Sequence, residues 1–410
     1  MSALFFCVSA LAVAIGNTKS YLSFVVVVLV FLTPVALGAP DEVANLLSLS
    51  MLFVSLGGLA YNIASSKNIN KLRRNYYSRP IALGFTSSTR FDIAVNALVI
   101  VSVLFSAYYF SRVGIALFAS EVGLERLTAR HAVPGSYFFQ RLFRVFLPIL
   151  WLILYIQSSL NPPKYRVKML AVLFVTCAFL LFTGLRGNLV TFIFTPVLIC
   201  NGFLRKNTGF LKILLFFAAS LAAGIYITML MYEQTDLLML LKLLSDRLTT
   251  LASDGLVYVF YDKVPSEGLL YGQSWINDFL SLFSKLGLTS ADAMNYSAQV
   301  ARDLLGDLYN GEQAAVYIFG EFYANLGYTG VILGSFALGI FLQYIYCRPY
   351  TLERSVFMIA LFSYGQAALL LIIGGPSLSM AIDYLISLAV FYASFVTLYS
   401  ISRSLRPSYG

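Results

Sequence analysis

The stretch MLAVLFVTCAFLLFTGLRGNLVTFIFTPVLICNGFL, residues 169–204, decides the fold class of this chain. It consists of two apolar runs, 169–184 and 188–204, that are separated by a short turn containing Arg186. Apolar runs of this kind are typical of helices that cross a lipid bilayer. A charge at the bilayer edge is costly, so Arg186 either has a functional role or contacts lipid phosphate.

The composition of the whole chain agrees with this interpretation. The 410 residues are 59% hydrophobic and only 11% charged, with a mean hydropathy of +0.80. A soluble domain cannot bury that much apolar surface, so the sequence predicts an all-α polytopic integral membrane protein. The cysteines lie in or at the ends of apolar runs without metal-ligand spacing, which favours a hydrophobic packing role. They are Cys7, Cys177, Cys200 and Cys347.

Hydropathy predicts eleven transmembrane spans. They are 2–16, 21–38, 43–62, 92–110, 142–160, 169–184, 188–204, 211–231, 327–347, 355–374 and 380–400. The short basic connections all fall on one side, which the positive-inside rule makes cytoplasmic. The amino terminus is therefore expected outside and the carboxyl terminus in the cytoplasm. The net charge of +9 follows from this topology and requires no nucleic-acid partner.

Two substantial loops are expected on the outer side of a single integral domain spanning 1–410. The first is 111–141, and the second is 231–326, which is too long to be a simple connector. Leucine spacing in 236–252 predicts an amphipathic helix. Two further short helices are predicted in 274–287 and 295–309, the latter stopped by Asn310 and Gly311.

The first outer loop and its edge carry arginines and no lysine, against the positive-inside preference. They are Arg112, Arg126, Arg130, Arg141 and Arg144. A guanidinium group presents a planar fork that matches phosphate oxygens, which favours an anionic, phosphate-bearing ligand. The alternative is contact with lipid headgroups and pairing with Glu121 and Glu125.

Twelve of the nineteen acidic residues lie in the second outer loop, where Glu321 stands out. Its neighbours in VYIFGEFYANLGYTG are apolar and aromatic, so partial desolvation is expected to raise its pKa toward that of a general base. The other candidate base is His131, the only histidine of the chain. Side chains around Glu321 are candidates for sugar binding, and the alternative for them is an interfacial aromatic belt. These candidates are Tyr317, Tyr323, Asn325 and Tyr328.

The GLRGN turn, the arginine-bearing first outer loop and the closing GEFYANLGYTG segment together resemble Wzy-type polymerases of O-antigen and related oligosaccharide repeat units. The segment RVGIALFASEVG, residues 112–123, is similar to the arginine, ten residues, glycine pattern of that family's outer loops. The second loop departs from the pattern, since Arg302 is followed by Gly306 and Gly311. The resemblance implies a GT-C-like membrane fold with a partly helical periplasmic region.

The resemblance also implies a reaction, namely the joining of undecaprenyl-pyrophosphate-linked repeat units at the outer leaflet of the bacterial inner membrane. The residues expected to bind pyrophosphate are Arg112, Arg126, Arg130, Arg186 and Arg302. No cofactor and no metal are expected, because acidic and histidine side chains with ligand spacing are lacking. Membrane lipids are expected partners, and a Wzz-type chain-length regulator and a Wzx-type flippase are further candidates.

Other classes stay open on the sequence. An O-antigen ligase has a similar plan but transfers glycan to the lipid A core. A lipid-linked oligosaccharide flippase is expected to carry charges along a cavity within its spans, whereas Asp383 is the one acidic residue well inside a predicted span. A small-solute transporter is expected to show duplicated halves, and no duplication is found.

Overall fold

The structure is a computed structural model. It describes residues 38–65, 69–82, 85, 88–115, 136–183, 189–205, 222, 225, 229, 236, 238–239, 242, 250–285, 294–306, 314–374 and 378–404. These residues form helices and no β-strand, with one isolated bridge between Ala82 and Ser355. The all-α class is therefore confirmed for the described part of the chain.

The α-helices are numbered in chain order. They are α1 Asp41–Ala64, α2 Ile69–Ser78, α3 Ser88–Val113, α4 Ser136–Arg141, α5 Leu147–Leu160, α6 Pro162–Phe182, α7 Thr195–Leu204, α8 Thr250–Tyr258, α9 Val264–Glu267, α10 Gln273–Lys285, α11 Tyr296–Leu305, α12 Tyr317–Cys347, α13 Val356–Gly374 and α14 Leu378–Ser404. In the described residues, π-helical turns join α4 to α5 at Leu142–Phe146 and α8 to α9 at Val259–Lys263, and another precedes α7 at Val190–Phe194. A 3₁₀ turn follows α12 at Arg348–Thr351.

Six helical segments in the described residues are long and apolar enough to cross a membrane. They are Asp41–Ala64, Ser88–Val113, Ser136–Leu160, Pro162–Phe182, Tyr317–Thr351 and Ile382–Ser402, and Phe192–Leu204 and Val356–Leu369 are shorter apolar helices. Each of these eight segments overlaps a predicted span. The predicted span 2–16 and nearly all of the predicted spans 21–38 and 211–231 lie outside the described residues. The long apolar helices indicate a membrane-embedded protein.

The described residues divide into two compact units. The first unit draws on Met1–Lys71, Thr235–Arg348 and Leu369–Asp383, and the second draws on Leu72–Gln234, Pro349–Ala368 and Tyr384–Gly410.

In the first unit, α1 packs along α12 through two glycines. A Cβ atom added to Gly57 would lie 2.0 Å from the carbonyl oxygen of Phe336, and one added to Gly339 would lie 2.0 Å from that of Val54. Glycine is therefore required where the two backbones meet, as in other close helix pairs of membrane proteins. The spacing of Gly327, Gly330 and Gly334 in the sequence also favours close helix packing. In the structure, Gly330 and Gly334 instead face Phe322 of their own helix.

The long helix α12 is broken at Leu326 and Gly327, where the backbone leaves helical geometry. Gly327 has φ 62° and ψ −149°, a conformation that is essentially restricted to glycine. Its role is therefore to allow the break rather than to allow close helix packing. The break coincides with the predicted start of the span 327–347, so residues 317–325 form a separate short helical segment that carries Glu321.

The described helices α8 to α11 lie between the predicted spans 211–231 and 327–347. We call them the cap. Asn295 caps the amino terminus of α11, because its side chain accepts a hydrogen bond from the Ala298 N–H at 2.8 Å. The helix ends at Leu305, and Gly306 follows it with φ 53°. The prediction that Asn310 and Gly311 stop this helix was wrong, because the backbone already leaves helical geometry at Gly306, in a positive-φ conformation that glycine tolerates.

In the second unit, α5 and α6 form a tight helical hairpin. Asn161 has non-helical dihedral angles, and Pro162 and Pro163 begin α6, where a missing N–H costs nothing. The helix therefore starts seven residues before the predicted span 169–184, and the basic residue Lys164 lies in its first turn. Lys164 Nζ lies 2.7 Å from Asp92 Oδ2 of α3, which ties this hairpin to its neighbour.

Arg354 connects several segments of the second unit. Its Nη1 donates to the carbonyl oxygen of Arg79 at 2.8 Å, and its Nη2 donates to that of Phe203 at 3.4 Å. The guanidinium carbon also lies 5.7 Å from the ring centroid of Tyr76. This buried arginine supplies donors to carbonyl groups that end helices and turns, which is a structural role.

Candidate functional site

The helix break in α12 is held by the segment that precedes α10. The carbonyl oxygens of Ala324 and Asn325 lose their helical donors at the break and instead accept from the N–H groups of Leu270 at 2.9 Å and Tyr271 at 3.0 Å. Buried backbone carbonyls require such replacement partners. The short helical segment 317–325 is therefore fixed to the cap.

Asn325 is fully buried, and both the oxygen and the nitrogen of its side-chain amide form hydrogen bonds. Its Oδ1 accepts from the Gly272 N–H at 2.8 Å, and its Nδ2 donates to Ser274 Oγ at 2.6 Å and to the carbonyl oxygen of Glu321 at 2.8 Å. Although the sequence makes Asn325 a sugar-binding candidate, the structure places its amide inside the cap, where it joins α12 to the start of α10.

Glu321 lies one helical turn before Asn325 and is fully buried. Tyr296 of α11 is also buried, and the charges of Glu321, Glu267 and Asp303 act on it. Burial is the main cause that raises the pKa of Tyr296, followed by the negative charge of Glu321. The Tyr296 hydroxyl therefore stays protonated, and it has no hydrogen-bond partner among the described residues.

Lys263 supplies the positive charge of this region. Its Nζ donates to Asp303 Oδ2 at 2.5 Å and to Glu267 Oε1 at 3.0 Å. Burial lowers the pKa of Lys263, but the hydrogen bonds to Asp303 and Glu267 outweigh that effect and raise it. We name Glu321, Tyr296, Lys263, Asp303 and Glu267 the cap cluster.

An aromatic surface lies beside the cap cluster. The rings of Phe260 and Tyr323 stack with their centroids 4.8 Å apart, and Tyr328 meets Tyr323 edge-on at 5.5 Å. Tyr323 is half-buried and Tyr328 is exposed, whereas Tyr317 is buried. Of the predicted sugar-binding tyrosines, Tyr323 and Tyr328 therefore have accessible ring surface, and Tyr317 belongs to the interior.

The nearby Tyr261 extends this surface. Its hydroxyl donates a short hydrogen bond to Glu42 Oε2 of α1, which connects the cap to the first described membrane helix. That hydrogen bond is the largest of the causes that raise the pKa of Tyr261 to about 12.

Two of the predicted pyrophosphate-binding arginines lie in the described residues. Arg112 is exposed at the end of α3, and its guanidinium carbon lies 5.5 Å from the Tyr108 ring centroid. Arg302 is exposed on α11, where its Nη1 lies 3.6 Å from Met294 Sδ. They belong to different units. Arg126, Arg130, His131 and Arg186 lie outside the described residues.

A second group of arginine contacts involves Arg141 and Arg144, which belong to the arginine cluster for which the sequence favours a phosphate-bearing ligand. The Arg141 guanidinium carbon lies 4.6 Å from the Tyr137 ring centroid and 5.5 Å from that of Tyr384. Arg144 Nη1 donates to Gln140 Oε1 at 3.0 Å. Both arginines are partly exposed at the start of the membrane segment Ser136–Leu160.

Further contacts fix this arginine pair in the second unit. Gln140 Nε2 donates to the Tyr109 hydroxyl at 3.2 Å, and the Tyr364 hydroxyl donates a short hydrogen bond to the backbone carbonyl of Arg144. The π-helical turn Leu142–Phe146 lies between α4 and α5 and carries Arg144. Such turns often occur at functional sites. We name Tyr137, Gln140, Arg141, Arg144 and Tyr384 the arginine site.

One sequence signal points to part of the arginine site. Tyr137, Arg141 and Arg144 are spaced i, i+4, i+7, which places them on one helical face. No local pattern connects them to Tyr384, because it lies more than two hundred residues later and meets Arg141 only through the tertiary fold.

No group of three or more histidine, cysteine, aspartate or glutamate side chains that would hold a metal ion occurs in the part of the chain that the structure describes. The comparisons with known proteins add no relative: no family model matches the chain, and no curated protein or solved structure is detectably similar to it.

Proposed function

We propose that this chain is a Wzy-type glycosyltransferase that polymerises undecaprenyl-pyrophosphate-linked oligosaccharide repeat units at the outer leaflet of the bacterial inner membrane. The observation that carries the proposal is the arginine site, in which two guanidinium groups are held at the end of a membrane segment by aromatic rings and an amide. The pyrophosphate of a polyprenyl-linked donor lies at the membrane surface, where such a segment ends.

The chemistry assigns a clear task to these arginines. The acceptor hydroxyl attacks the anomeric carbon of the donor, and the bond from that carbon to the pyrophosphate oxygen breaks with its electron pair. Polyprenyl pyrophosphate leaves, and the hydroxyl proton passes to a base. Fixed guanidinium groups stabilise the charge that develops on the leaving group, and they need no reorganisation during the reaction. In the proposal, Arg112, Arg126, Arg130 and Arg186 add contacts to pyrophosphate.

The proton acceptor is either Glu321 or His131. A general base must come within hydrogen-bonding reach of the acceptor hydroxyl, and Glu321 is fully buried in this structure. Proton transfer to Glu321 therefore requires a movement of the cap that exposes its carboxylate. In the closed cap, Glu321 has a structural role within α12. His131 belongs to the first outer loop of the sequence, so substitutions at the two positions separate the candidates.

The sugar rings of the acceptor are assigned to the aromatic surface of Phe260, Tyr323 and Tyr328. Tyr328 is exposed, and its edge-on contact with Tyr323 leaves ring surface available. Aromatic rings with a polar hydroxyl suit sugars because they bind both the apolar face and the hydroxyl groups of the ring. Tyr317 and Asn325 support this surface from the interior.

We also propose the finer features of the architecture. These are eleven transmembrane helices in a GT-C-like plan, an outer amino terminus, a cytoplasmic carboxyl terminus and an active site facing the periplasm. The reaction is proposed to invert the anomeric centre without a metal or cofactor. A Wzz-type regulator and a Wzx-type flippase are proposed neighbours in the membrane.

An O-antigen ligase is the second candidate, because a fixed arginine pair suits any transfer from a polyprenyl pyrophosphate donor. The distinguishing experiment uses the purified chain in vesicles with defined lipid-linked repeats. A polymerase gives a ladder of products from the repeats alone. A ligase gives product only when lipid A core is added, and a flippase moves the lipid without forming a glycosidic bond.

A further inference from the structure

In the helix α10, Gln273–Lys285, the apolar face is exposed and the polar face is buried. This is the opposite of a helix that packs against an apolar core. Its exposed face is a stripe of large apolar side chains at i, i+3, i+4 and i+7 spacing. These are Ile276, Phe279, Leu280 and Phe283, which are 54%, 45%, 39% and 43% exposed. No charged side chain belongs to this stripe.

The opposite face of α10 is mainly polar and buried. It includes Ser274, Asp278 and Ser281, with Leu282 as its apolar member. Asp278 Oδ1 accepts from the Tyr296 N–H at 2.9 Å, and Ser274 Oγ accepts from Asn325 Nδ2. These hydrogen bonds fix the rotation of α10 about its axis, so the helix cannot turn its apolar stripe inward.

The apolar stripe is close to the membrane helix α12. The segment before α10 is hydrogen-bonded to α12 at its break through Leu270 and Tyr271. Tyr271 is 77% exposed, and α12 exposes Leu326 and Tyr328 at the break and Leu333 in the following turns. Exposed apolar side chains therefore occur on α12, on the segment that precedes α10 and on α10 itself.

We propose that α10 lies in the interface of the bilayer and inserts its stripe of Ile276, Phe279, Leu280 and Phe283 among the lipid acyl chains. An uncharged apolar face with a fixed orientation, beside a helix that crosses the membrane, fits a lipid surface. The hydrogen bonds of Asn325 and Tyr271 then hold α12 to a helix anchored in the interface. This inference depends only on the membrane-embedded fold and not on the proposed reaction.

Spin-label accessibility tests the inference in the full chain. A parent in which Cys7, Cys177, Cys200 and Cys347 are replaced by alanine receives Phe279→Cys, Phe283→Cys or the control Ser266→Cys, which is exposed on α9. Each variant is nitroxide-labelled and reconstituted in phosphatidylethanolamine and phosphatidylglycerol vesicles. Collisions with oxygen and with a water-soluble nickel complex are then measured by power saturation.

The expected result is that oxygen relaxes the labels at 279 and 283 several-fold more effectively than the nickel complex, with the reverse order at 266. Preference for the nickel complex at 279 and 283 would show a solvated face and overturn the inference. Low accessibility to both reagents would show that protein, such as a second copy of the chain, covers the stripe, which also overturns it.

A second measurement avoids cysteine replacement. Trp275 lies on α10 beside the stripe, and the chain contains two tryptophans. In a Trp151→Phe variant, Trp275 is the remaining tryptophan emitter. Lipids brominated near the top of the acyl chain should quench it several-fold more than lipids brominated near the terminal methyl group. The absence of quenching by either lipid contradicts an interfacial α10.

Discussion

The side-chain oxygen of Asn325 accepts a hydrogen bond from the backbone N–H of Gly272 at 2.8 Å. This contact joins two segments that are 53 residues apart in the chain, at the point where α12 breaks. Together with the backbone hydrogen bonds from Leu270 and Tyr271, it replaces the partners that the break removes. The position of Glu321 therefore depends on the connection before α10.

Asn325→Ala is expected to lower the free energy of unfolding by about 2 kcal/mol, because the Gly272 N–H is left without this acceptor in a partly buried position. Asn277→Ala is the matched control. Asn277 is partly exposed on α10, and its side chain accepts from its neighbour Gln273, so a change within about 0.5 kcal/mol is expected. Thermal unfolding of both variants in detergent provides the test, and equal melting temperatures contradict the account.

Adjacent glycines of α1 are expected to respond differently to alanine. Gly57→Ala places a Cβ atom 2.0 Å from the Phe336 carbonyl oxygen and should destabilise the protein by about 1–3 kcal/mol. At Gly58 the nearest atom is 3.8 Å away. Gly58→Ala should therefore be neutral or slightly stabilising, since alanine favours the helix by roughly 0.5–1 kcal/mol. Similar losses for the two variants contradict the close contact of α1 and α12.

Lys263→Met is expected to cost about 2 kcal/mol, since two hydrogen bonds between charged groups are lost and Asp303 loses its partner. Lys242→Met is the control, because Lys242 is exposed. Chemical unfolding of both variants measures the difference. A loss of less than about 0.5 kcal/mol for Lys263→Met would show that the ion pairs of the cap cluster add nothing.

The same lysine predicts a pH dependence. The pKa of Lys263 is raised in the folded protein, so its contribution to stability is fully present below the unfolded pKa of about 10.4. That contribution is lost as the pH rises through the higher folded pKa. Unfolding measured from pH 8 upward should therefore show a smaller alkaline loss in Lys263→Met than in the wild type. Identical pH profiles would contradict the raised pKa.

Arg141→Lys tests the arginine site. Lysine keeps the charge but loses the planar fork and its stacking on Tyr137 and Tyr384, so polymerisation is expected to fall by about 10²-fold. Arg403→Ala is the control, because the charge pattern predicts that it lies on the cytoplasmic side. Initial rates with lipid-linked repeats measure both variants. A normal rate for Arg141→Lys together with a dead Arg141→Ala would show that charge alone suffices.

Glu321→Gln separates the two candidate bases. If Glu321 accepts the proton, the glutamine variant should bind the lipid-linked donor normally and lose turnover by at least about 10²-fold. If His131 is the base, His131→Ala should lose turnover while Glu321→Gln keeps the wild-type rate. Normal rates for both variants would show that neither residue is the base and that stabilisation of the leaving group accounts for the rate enhancement.

Hydropathy predicted the long apolar helices, because the length and composition of a span are local properties of the sequence. The ends of helices depend on single residues that hydropathy does not register. Pro162 and Pro163 start α6 before the predicted span, and Gly306 ends α11 before Asn310 and Gly311. Gly327 likewise breaks α12 because it tolerates positive φ.

The functional clusters were less predictable, because they depend on contacts between distant segments. Arg141 meets Tyr384, and Lys263 meets Asp303, only after the helices have packed. The buried state of Glu321 had a local signal in its aromatic neighbours, but its closeness to Tyr296 had none. Helical spacing identifies one face of a site, whereas tertiary packing decides what lies opposite.

The most direct test of the central claim is the stoichiometry of the reaction. Purified wild-type protein in vesicles receives one defined undecaprenyl-pyrophosphate-linked repeat, with and without EDTA, and both new glycosidic bonds and free undecaprenyl pyrophosphate are counted. The account predicts a product ladder with one undecaprenyl pyrophosphate released for each bond, in both conditions. No ladder from an active, folded preparation, or bond formation without release of the lipid pyrophosphate, would contradict it.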